Sequence, residues 1–258
     1  MLYDYLFYFV VYSFIGWCTE VCFCSVSTGK FVNRGFLNGP VCPIYGFGMV
    51  IVIYILTPVT ENVFLLFFGS MILASTLELV TGWALKKLFH TSWWDYSDKP
   101  FNLGGYICLG YSFYWAFGGV LMMRVIHPMI ADLIAKINPK LGFVFLCVSF
   151  AVFAVDFVAT ILTINKLNKD LKTINRLAEA IHDSSENLAM RIGNKAIKED
   201  EKLAGLRREL STRKDMLKAD VAVSRVFGKQ RILKAFPNAK HIDYNDLLEE
   251  LKQNYVVK

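Results

Sequence analysis

One stretch decides the fold of this chain: residues 143–164 read FVFLCVSFAVFAVDFVATILTI. Almost all of these residues are apolar, and the run has the length of ~20 residues that crosses the ~30 Å hydrocarbon core of a bilayer. Its one charged residue is Asp156. The run therefore predicts a transmembrane helix, and with it a membrane protein.

Four further apolar segments precede this run, at about Tyr5–Val26, Val41–Thr57, Val63–Leu85 and Tyr106–Ile126. Each approaches the length of a helix that spans a bilayer. The second is the shortest, and it contains Pro43, Gly46 and Gly48, so a short span and a re-entrant segment both stay open for it. We predict an all-α, polytopic membrane bundle of about five transmembrane helices in residues 1–165.

The remaining residues, 166–258, form a charged tail. Residues 1–165 contain 8 Lys+Arg and 8 Asp+Glu, whereas the tail contains 20 and 14, so the formal charge of +6 belongs to the tail. Apolar residues recur there every three or four positions, first from Ile164 to Ile181 and again from Leu203 to Val221, which is typical of helices.

The tail pattern predicts that the last span continues as one long helix, breaks at Asp183-Ser184-Ser185 and returns. The result is a cytoplasmic helical hairpin or coiled coil. A turn at Phe236-Pro237-Asn238 is expected to precede a last short helix, Tyr244–Gln253, with Asp243 as its cap.

Lysine and arginine in short loops predict the orientation, because they favour the cytoplasmic side. The first loop, the third loop and the tail are basic, whereas Lys136 and Lys140 in the fourth loop argue the other way. With five spans and a cytoplasmic tail, the N-terminus is predicted to lie outside the cell membrane.

Three acids lie within the predicted spans: Glu20, Glu78 and Asp156. An acid at the centre of a membrane helix costs roughly 2.5 to 3.5 kcal/mol. We therefore expect these side chains to face one another, a water-filled cavity or a basic partner, for which Arg124 is a candidate. They either hold the bundle together through hydrogen bonds or form a site for a substrate, a proton or an ion.

Two glycines share helix faces with two of these acids. Gly16 precedes Glu20 by four residues, and Gly82 follows Glu78 by four. This spacing predicts the close approach of another helix backbone beside each acid.

The first loop motif, residues 31–46, reads FVNRGFLNGPVCPIYG. Its prolines block regular helix, and irregular backbone at membrane depth is tolerated only inside protein or against a cavity. Two interpretations stay open. The exposed amides, with Arg34, suit an anionic headgroup or phosphate, or the motif is a rigid interfacial turn.

The second loop motif, residues 93–102, reads WWDYSDKPFN. Its aromatic residues suit the headgroup region, but Asp95, Asp98 and Asn102 among them need another explanation. We hypothesise that both loops form one polar vestibule that leads to the acids. The candidate binding residues are Glu20, Asn33, Arg34, Tyr45, Glu78, Asp95, Tyr96, Asn102 and Asp156.

Several motifs together carry a resemblance to a known family. They are Gly16-Trp17-x-x-Glu20, residues 33–46, Glu78-x-x-Thr81-Gly82, Trp94-Asp95-Tyr96-Ser97, Pro100-Phe101-Asn102 and Leu233-Lys234-Ala235-Phe236-Pro237-Asn238. The chain resembles the bacterial proteins grouped as putative ABC-transporter type IV membrane proteins, which are common in Firmicutes. The resemblance implies a permease subunit that works with a separate ATPase and a second membrane subunit. It carries over no catalytic or ligand residues.

Three functions are compatible with the sequence. The first is the membrane subunit of a transporter; the chain has no phosphate-binding Gly-x-x-x-x-Gly-Lys-Ser/Thr motif of its own. The second is a membrane enzyme acting on a lipid or isoprenoid at the inner interface, and the third is a sensor or scaffold that acts through the tail. The sequence predicts no cofactor, no metal and no nucleic-acid partner. The expected partners are membrane lipids and the transporter subunits named above, and a homo-oligomer stays open.

Overall fold

The computed structural model describes residues 1–189, 195–224 and 227–255 of the chain. The structure is 78% helical, so the predicted all-α membrane bundle is confirmed. The chain divides into two compact units. The first comprises residues 1–160 with 238–240, and the second comprises residues 161–237 with 241–258.

The described residues form nine α-helices, which are α1 Leu2–Thr28, α2 Pro43–Leu56, α3 Val63–Phe89, α4 Leu109–Leu121, α5 His127–Ala135, α6 Pro139–Ala189, α7 Lys195–Val223, α8 Lys229–Ala235 and α9 Asn245–Tyr255. A 3₁₀ turn, Thr57–Val59, follows α2, and a π-helical turn, Met122–Ile126, joins α4 to α5. The short strands are β1 Thr91–Ser92, β2 Asn102–Leu103, β3 Ile107–Cys108 and β4 Lys240–His241. Strands β2 and β3 form an antiparallel hairpin that pairs Asn102 with Cys108.

Local signals in the sequence set the ends of the membrane helices. Helix α1 ends at Gly29, whose left-handed φ of 69° lets its amide donate to the carbonyl of Ser25. Pro43 occupies the first turn of α2, where its missing N–H is no loss. The side chain of Asn62 accepts from the amide of Leu65 and so caps α3.

Four helical stretches are long and apolar enough to cross a membrane. They are Leu2–Thr28, Val63–Phe89, Leu109–Ala135 and Pro139–Ser185. The fourth predicted span thus begins three residues late, at Leu109, because the β2–β3 hairpin occupies the residues before it. The predicted second span is the exception, since α2 has only 14 residues and is about 21 Å long.

Helix α2 lies beside only the N-terminal half of α1. Tyr45, in its first turn, packs against Gly16 near the middle of α1, and the ring of Tyr54 lies 6.2 Å from that of Tyr5. The non-helical residues 29–42 run back along the other half of α1, where Asn33 accepts from Trp17 and Arg34 donates to Glu20, and they reach the middle of α1 where the amide of Cys42 donates to the carbonyl of Ser13. Residues 29–56 thus lie beside α1 first as irregular chain and then as helix α2.

The core of the first unit joins every helix of the bundle. Its buried residues include Phe7, Tyr12, Leu66, Met123 and Leu146. Small residues bring α3 and α4 together, because Gly119 lies directly against Ser70 and the hydroxyl of Ser75 lies 2.7 Å from that of Ser112. Close packing and short polar contacts replace the hydrophobic driving force that lipid does not provide.

The second unit corrects one prediction about the tail and confirms two of its helices. The expected break at residues 183–185 does not occur, and α6 continues to Ala189. The reason is that Asp and Ser lower helix stability only by tenths of a kcal/mol, and neither proline nor glycine lies there. The predicted return helix is α7, and the predicted last short helix is α9, which begins at Asn245. Helix α8 was not predicted, and it packs with α7 and α9. The shared core is Leu167, Leu171, Ile174, Leu217, Val221, Leu233, Leu248 and Leu251.

A buried lysine stabilises the second unit. The Lys229 ammonium lies 2.5 Å from a carboxylate oxygen of Asp170 and 2.8 Å from one of Asp220, and its side chain is 4% exposed. Lys229→Ala leaves both partly exposed carboxylates without this cation, and we expect a loss of about 2 kcal/mol, the value for a hydrogen bond to a charged group. Hydrogen exchange of the α8 amides in the full chain should become more than about tenfold faster.

Exposed Lys202 is the matched control, so Lys202→Ala should leave α8 exchange unchanged.

The contact between Lys229 and Asp220 also predicts a pH dependence. The hydrogen bond from Lys229, more than that from Lys166, lowers the pKa of Asp220. The stabilisation of the folded unit by this contact is therefore complete above about pH 4, the ordinary pKa of an aspartate, and it is lost as the pH falls from there through the lowered pKa of Asp220. Equal α8 exchange in the two lysine variants would contradict this account.

Candidate functional site

The first unit contains a polar group of side chains that we call the acid network, made of Glu20, Arg34, Tyr45, Glu78, Tyr96 and Trp115. It draws on α1, α2, α3, α4 and both loop motifs. It lies where α2 begins, because Tyr45 is in the first turn of that helix.

Glu20 is the charged, partly accessible end of the acid network. One carboxylate oxygen accepts from the Tyr45 hydroxyl at 2.7 Å, and the other accepts from Nε of Arg34 at 3.3 Å. The side chains of Glu20 and Arg34 are each about 30% exposed. The contact with the guanidinium of Arg34 is a charge-assisted hydrogen bond.

Glu78 is the buried end of the acid network and is only 8% exposed. Oε1 accepts from the Tyr96 hydroxyl at 3.1 Å, and Oε2 accepts from the indole Nε1 of Trp115 at 2.9 Å. Both donors are neutral. This carboxyl group thus has its hydrogen bonds satisfied without an ion pair, unlike Glu20.

Aromatic rings connect the two acids. The rings of Tyr45 and Trp115 meet edge to face with centroids 5.7 Å apart, and each donates to a different acid. The carboxyl groups of Glu20 and Glu78 are close enough to interact electrostatically. The acid network is therefore one continuous set of contacts through the bundle.

The two glycines that share faces with the acids make room for these aromatic rings. A Cβ atom at Gly16 would overlap the Tyr45 ring, and a Cβ atom at Gly82 would lie 2.9 Å from the Tyr106 ring and 3.0 Å from that of Trp94. Close approach was expected from another helix backbone. The structure instead places side chains there.

Asp156 and Asn33 hold the first loop in place. The carboxylate of Asp156 accepts from the amides of Asn38 and Gly39, at 3.0 and 2.7 Å, and from the Asn38 side chain at 2.8 Å. Oδ1 of Asn33 accepts from Trp17 Nε1 and from the amide of Gly35. The amides of Gly35, Asn38 and Gly39 therefore have acceptors inside protein.

The second loop is fastened in a similar way. The side chain of Asn102 donates to the carbonyls of Ser97 and Lys99, and its oxygen accepts from the amide of Gly105. These contacts hold Tyr96 in position. Burial, reinforced by the negative charge of Glu78, raises the pKa of the Tyr96 phenol, so its hydroxyl keeps its proton and donates.

Asp95 has a different environment from its neighbour Tyr96. It accepts from Ser97 and from Nζ of Lys240 at 2.7 Å. The hydrogen bond from Lys240 is the main reason that the pKa of Asp95 falls to about 2. The segment 238–240 of the first unit thus meets the second loop through an ion pair.

The structure brings some predicted site residues together and separates others. Glu20, Arg34, Tyr45, Glu78 and Tyr96 share the acid network, whereas Asn33, Asp95, Asn102 and Asp156 hold the loops. The suggestion that Arg124 pairs with an intramembrane acid is wrong. Its guanidinium donates to the carbonyls of Thr60 and Glu61, because it lies level with the turn between α2 and α3.

Sequence reasoning missed Trp115, Asn38 and Thr160. Trp115 donates to Glu78, and the Asn38 side chain bridges Asp156 and Thr160. An indole in an apolar span is indistinguishable from a packing residue until its partner is known. Among the described residues, no group of three or more His, Cys, Asp or Glu is arranged to hold a metal ion.

The fold and the acid network define a class: a polytopic α-helical membrane protein with charged groups inside its bundle and one short apolar helix, α2, preceded by irregular chain. A comparison with protein families then identifies the family. Residues 7–161, more than half of the chain, match the model of the family described as putative ABC-transporter type IV, and the chain belongs to that family. Searches of curated proteins and of solved structures each found no match.

Proposed function

We propose that this protein is the membrane-spanning subunit of a transporter and that the acid network is its polar intramembrane site. One observation carries the proposal: α2 begins in the middle of the bundle, beside Tyr45, Glu20 and Glu78. Secondary transporters place substrate and ion sites where a membrane helix is interrupted, because the freed backbone and the helix end provide polar groups there. Family membership is consistent with this role.

The proposal includes an orientation and partners. We place the N-terminus outside and the tail in the cytoplasm, following the basic first and third loops. The chain then needs a separate ATPase, since its sequence contains no nucleotide-binding loop, and a second membrane subunit to complete a translocation pathway. Basic residues at the inner face contact anionic lipids.

The test is the ATPase activity of the assembled complex. The tagged full chain is purified from membranes of its source cells in mild detergent, reconstituted in liposomes and assayed for vanadate-sensitive ATP hydrolysis. We expect a co-purified ATPase, and lower ATP turnover with Glu20→Gln and Glu78→Gln at unchanged subunit composition.

Glu61→Gln is the matched control, because Glu61 is an exposed acid in the turn between α2 and α3. It should leave ATP turnover at the wild-type rate. Purified complexes that contain no ATPase, or acid-network variants with wild-type turnover, would refute the proposal. Lipid conversion without ATP would instead favour the membrane enzyme.

A further inference from the structure

Glu78 accepts from two neutral donors, whereas Glu20 is paired with the guanidinium of Arg34. Among the residues that the structure describes, the titratable or charged groups facing Glu78 are Glu20 from α1, Tyr45 from α2 and Tyr96 from the second loop. None of these is a cation. Arg34 donates to Glu20, at the carboxylate oxygen that does not accept from Tyr45.

Two carboxyl groups therefore occupy opposite environments within one network. Glu20 has a guanidinium and about 30% exposure, whereas Glu78 has two neutral donors and 8% exposure. Burying a carboxylate without a cation is costly, and the neutral acid avoids that cost. Paired carboxyl groups in unlike environments separate into one that stays ionised and one that binds a proton.

From this geometry we infer that Glu78 is a reversible proton-binding site of the protein. The reaction is the formation of one O–H bond on the carboxylate with a proton taken from the aqueous side, and the release is its reverse. Only the role of this proton, which is coupling to transport, rests on the proposed function. The proton site itself needs neither the ATPase nor a substrate.

The neighbours of Glu78 also determine which oxygen carries the proton. The Trp115 indole N–H is a donor only, so Oε2 must remain the accepting C=O oxygen. The Tyr96 hydroxyl can donate or accept, so the proton resides on Oε1 and is donated to the Tyr96 oxygen. Tyr96 belongs to the loop after α3, which places the entry for the proton on the side of that loop.

Infrared difference spectroscopy of the full chain in lipid nanodiscs, without ATP or partners, tests the inference. The pH is varied between about 9 and about 5, a range that brackets buried glutamates. We expect a C=O band of a protonated carboxyl to grow as the pH falls. The band should disappear in Glu78→Gln and persist in Glu20→Gln.

Two further variants keep the test decisive. Glu78→Asp should restore a titrating band at a different frequency, and Trp115→Phe should move the wild-type band upward because the C=O loses its donor. Tryptophan fluorescence of each variant checks that it is folded. A band that is independent of pH, or one that survives in Glu78→Gln, overturns the proton site. If the band titrates but the complexes purified for the ATP-hydrolysis assay contain no ATPase, only the transporter proposal is overturned.

Discussion

Replacing Gly16 with alanine is expected to destabilise the membrane unit by about 3 kcal/mol, the upper range for overpacking a filled interior. The added Cβ overlaps the Tyr45 ring. That ring has little room to move, because its hydroxyl donates to Glu20 and its edge meets Trp115. The measurement is the midpoint temperature for loss of the monodisperse peak after heating the detergent-solubilised chain.

Gly118→Ala is the matched control for Gly16→Ala. Both glycines lie in membrane helices, but a Cβ at Gly118 meets no atom within 4 Å. Alanine there should leave the midpoint unchanged or raise it slightly, because alanine is the better helix former. In the double variant Gly16→Ala/Tyr45→Ala, the overlap is removed, so the two effects should be strongly non-additive. Additive losses would show that Tyr45 is not what position 16 accommodates.

Replacing Asp156 with asparagine is expected to release the first loop, at a cost of about 3 kcal/mol. In the wild type, both carboxylate oxygens accept from the loop backbone, one from the amide of Asn38 and the other from that of Gly39. An asparagine presents an NH₂ group to one of these N–H groups, so one buried donor faces another. Trypsin cleavage after Lys30 or Arg34 in the solubilised chain should become more than about tenfold faster.

The exposed acid Asp132 provides the comparison for Asp156. Asp132→Asn should leave cleavage in the first loop at the wild-type rate. Because the donors to Glu78 are Tyr96 and Trp115, whereas Asp156 binds Asn38 and Gly39, Asp156→Asn should also retain the titrating band of Glu78 at low temperature, where the bundle is folded. Cleavage at the same rate in both variants would mean that Asp156 does not hold the loop.

Some features of the fold follow directly from the sequence. Residues 143–164 are too apolar and too long for an exposed helix in water, and the boundary signals at Gly29, Pro43 and Asn62 are local. Short-range effects of this kind depend on a few neighbouring residues. They predicted the membrane bundle and the long helix that continues beyond the last span, but they misplaced a break at Asp183, where propensity was too weak to end a helix.

The sequence also predicted which acids need an explanation, since a carboxyl group within an apolar span cannot face lipid at a small cost. It could not assign their partners. Arg124 and Arg34 are equally plausible cations along the chain, yet only Arg34 reaches Glu20. The choice depends on how far residues 29–42 fold back along α1.

What the sequence by itself determined is the class: a membrane bundle of apolar helices with three intramembrane acids and a charged helical tail. These properties follow from the hydrophobicity and charge of neighbouring residues, and the length of each apolar run matches the thickness of a bilayer. What only the tertiary structure decided is the distinction between Glu20, Glu78 and Asp156. One is ion-paired, one accepts from neutral donors and one holds backbone amides. Each role depends on groups distant in the chain, and a carboxyl group's chemistry is set by the donors and charges that packing brings to it.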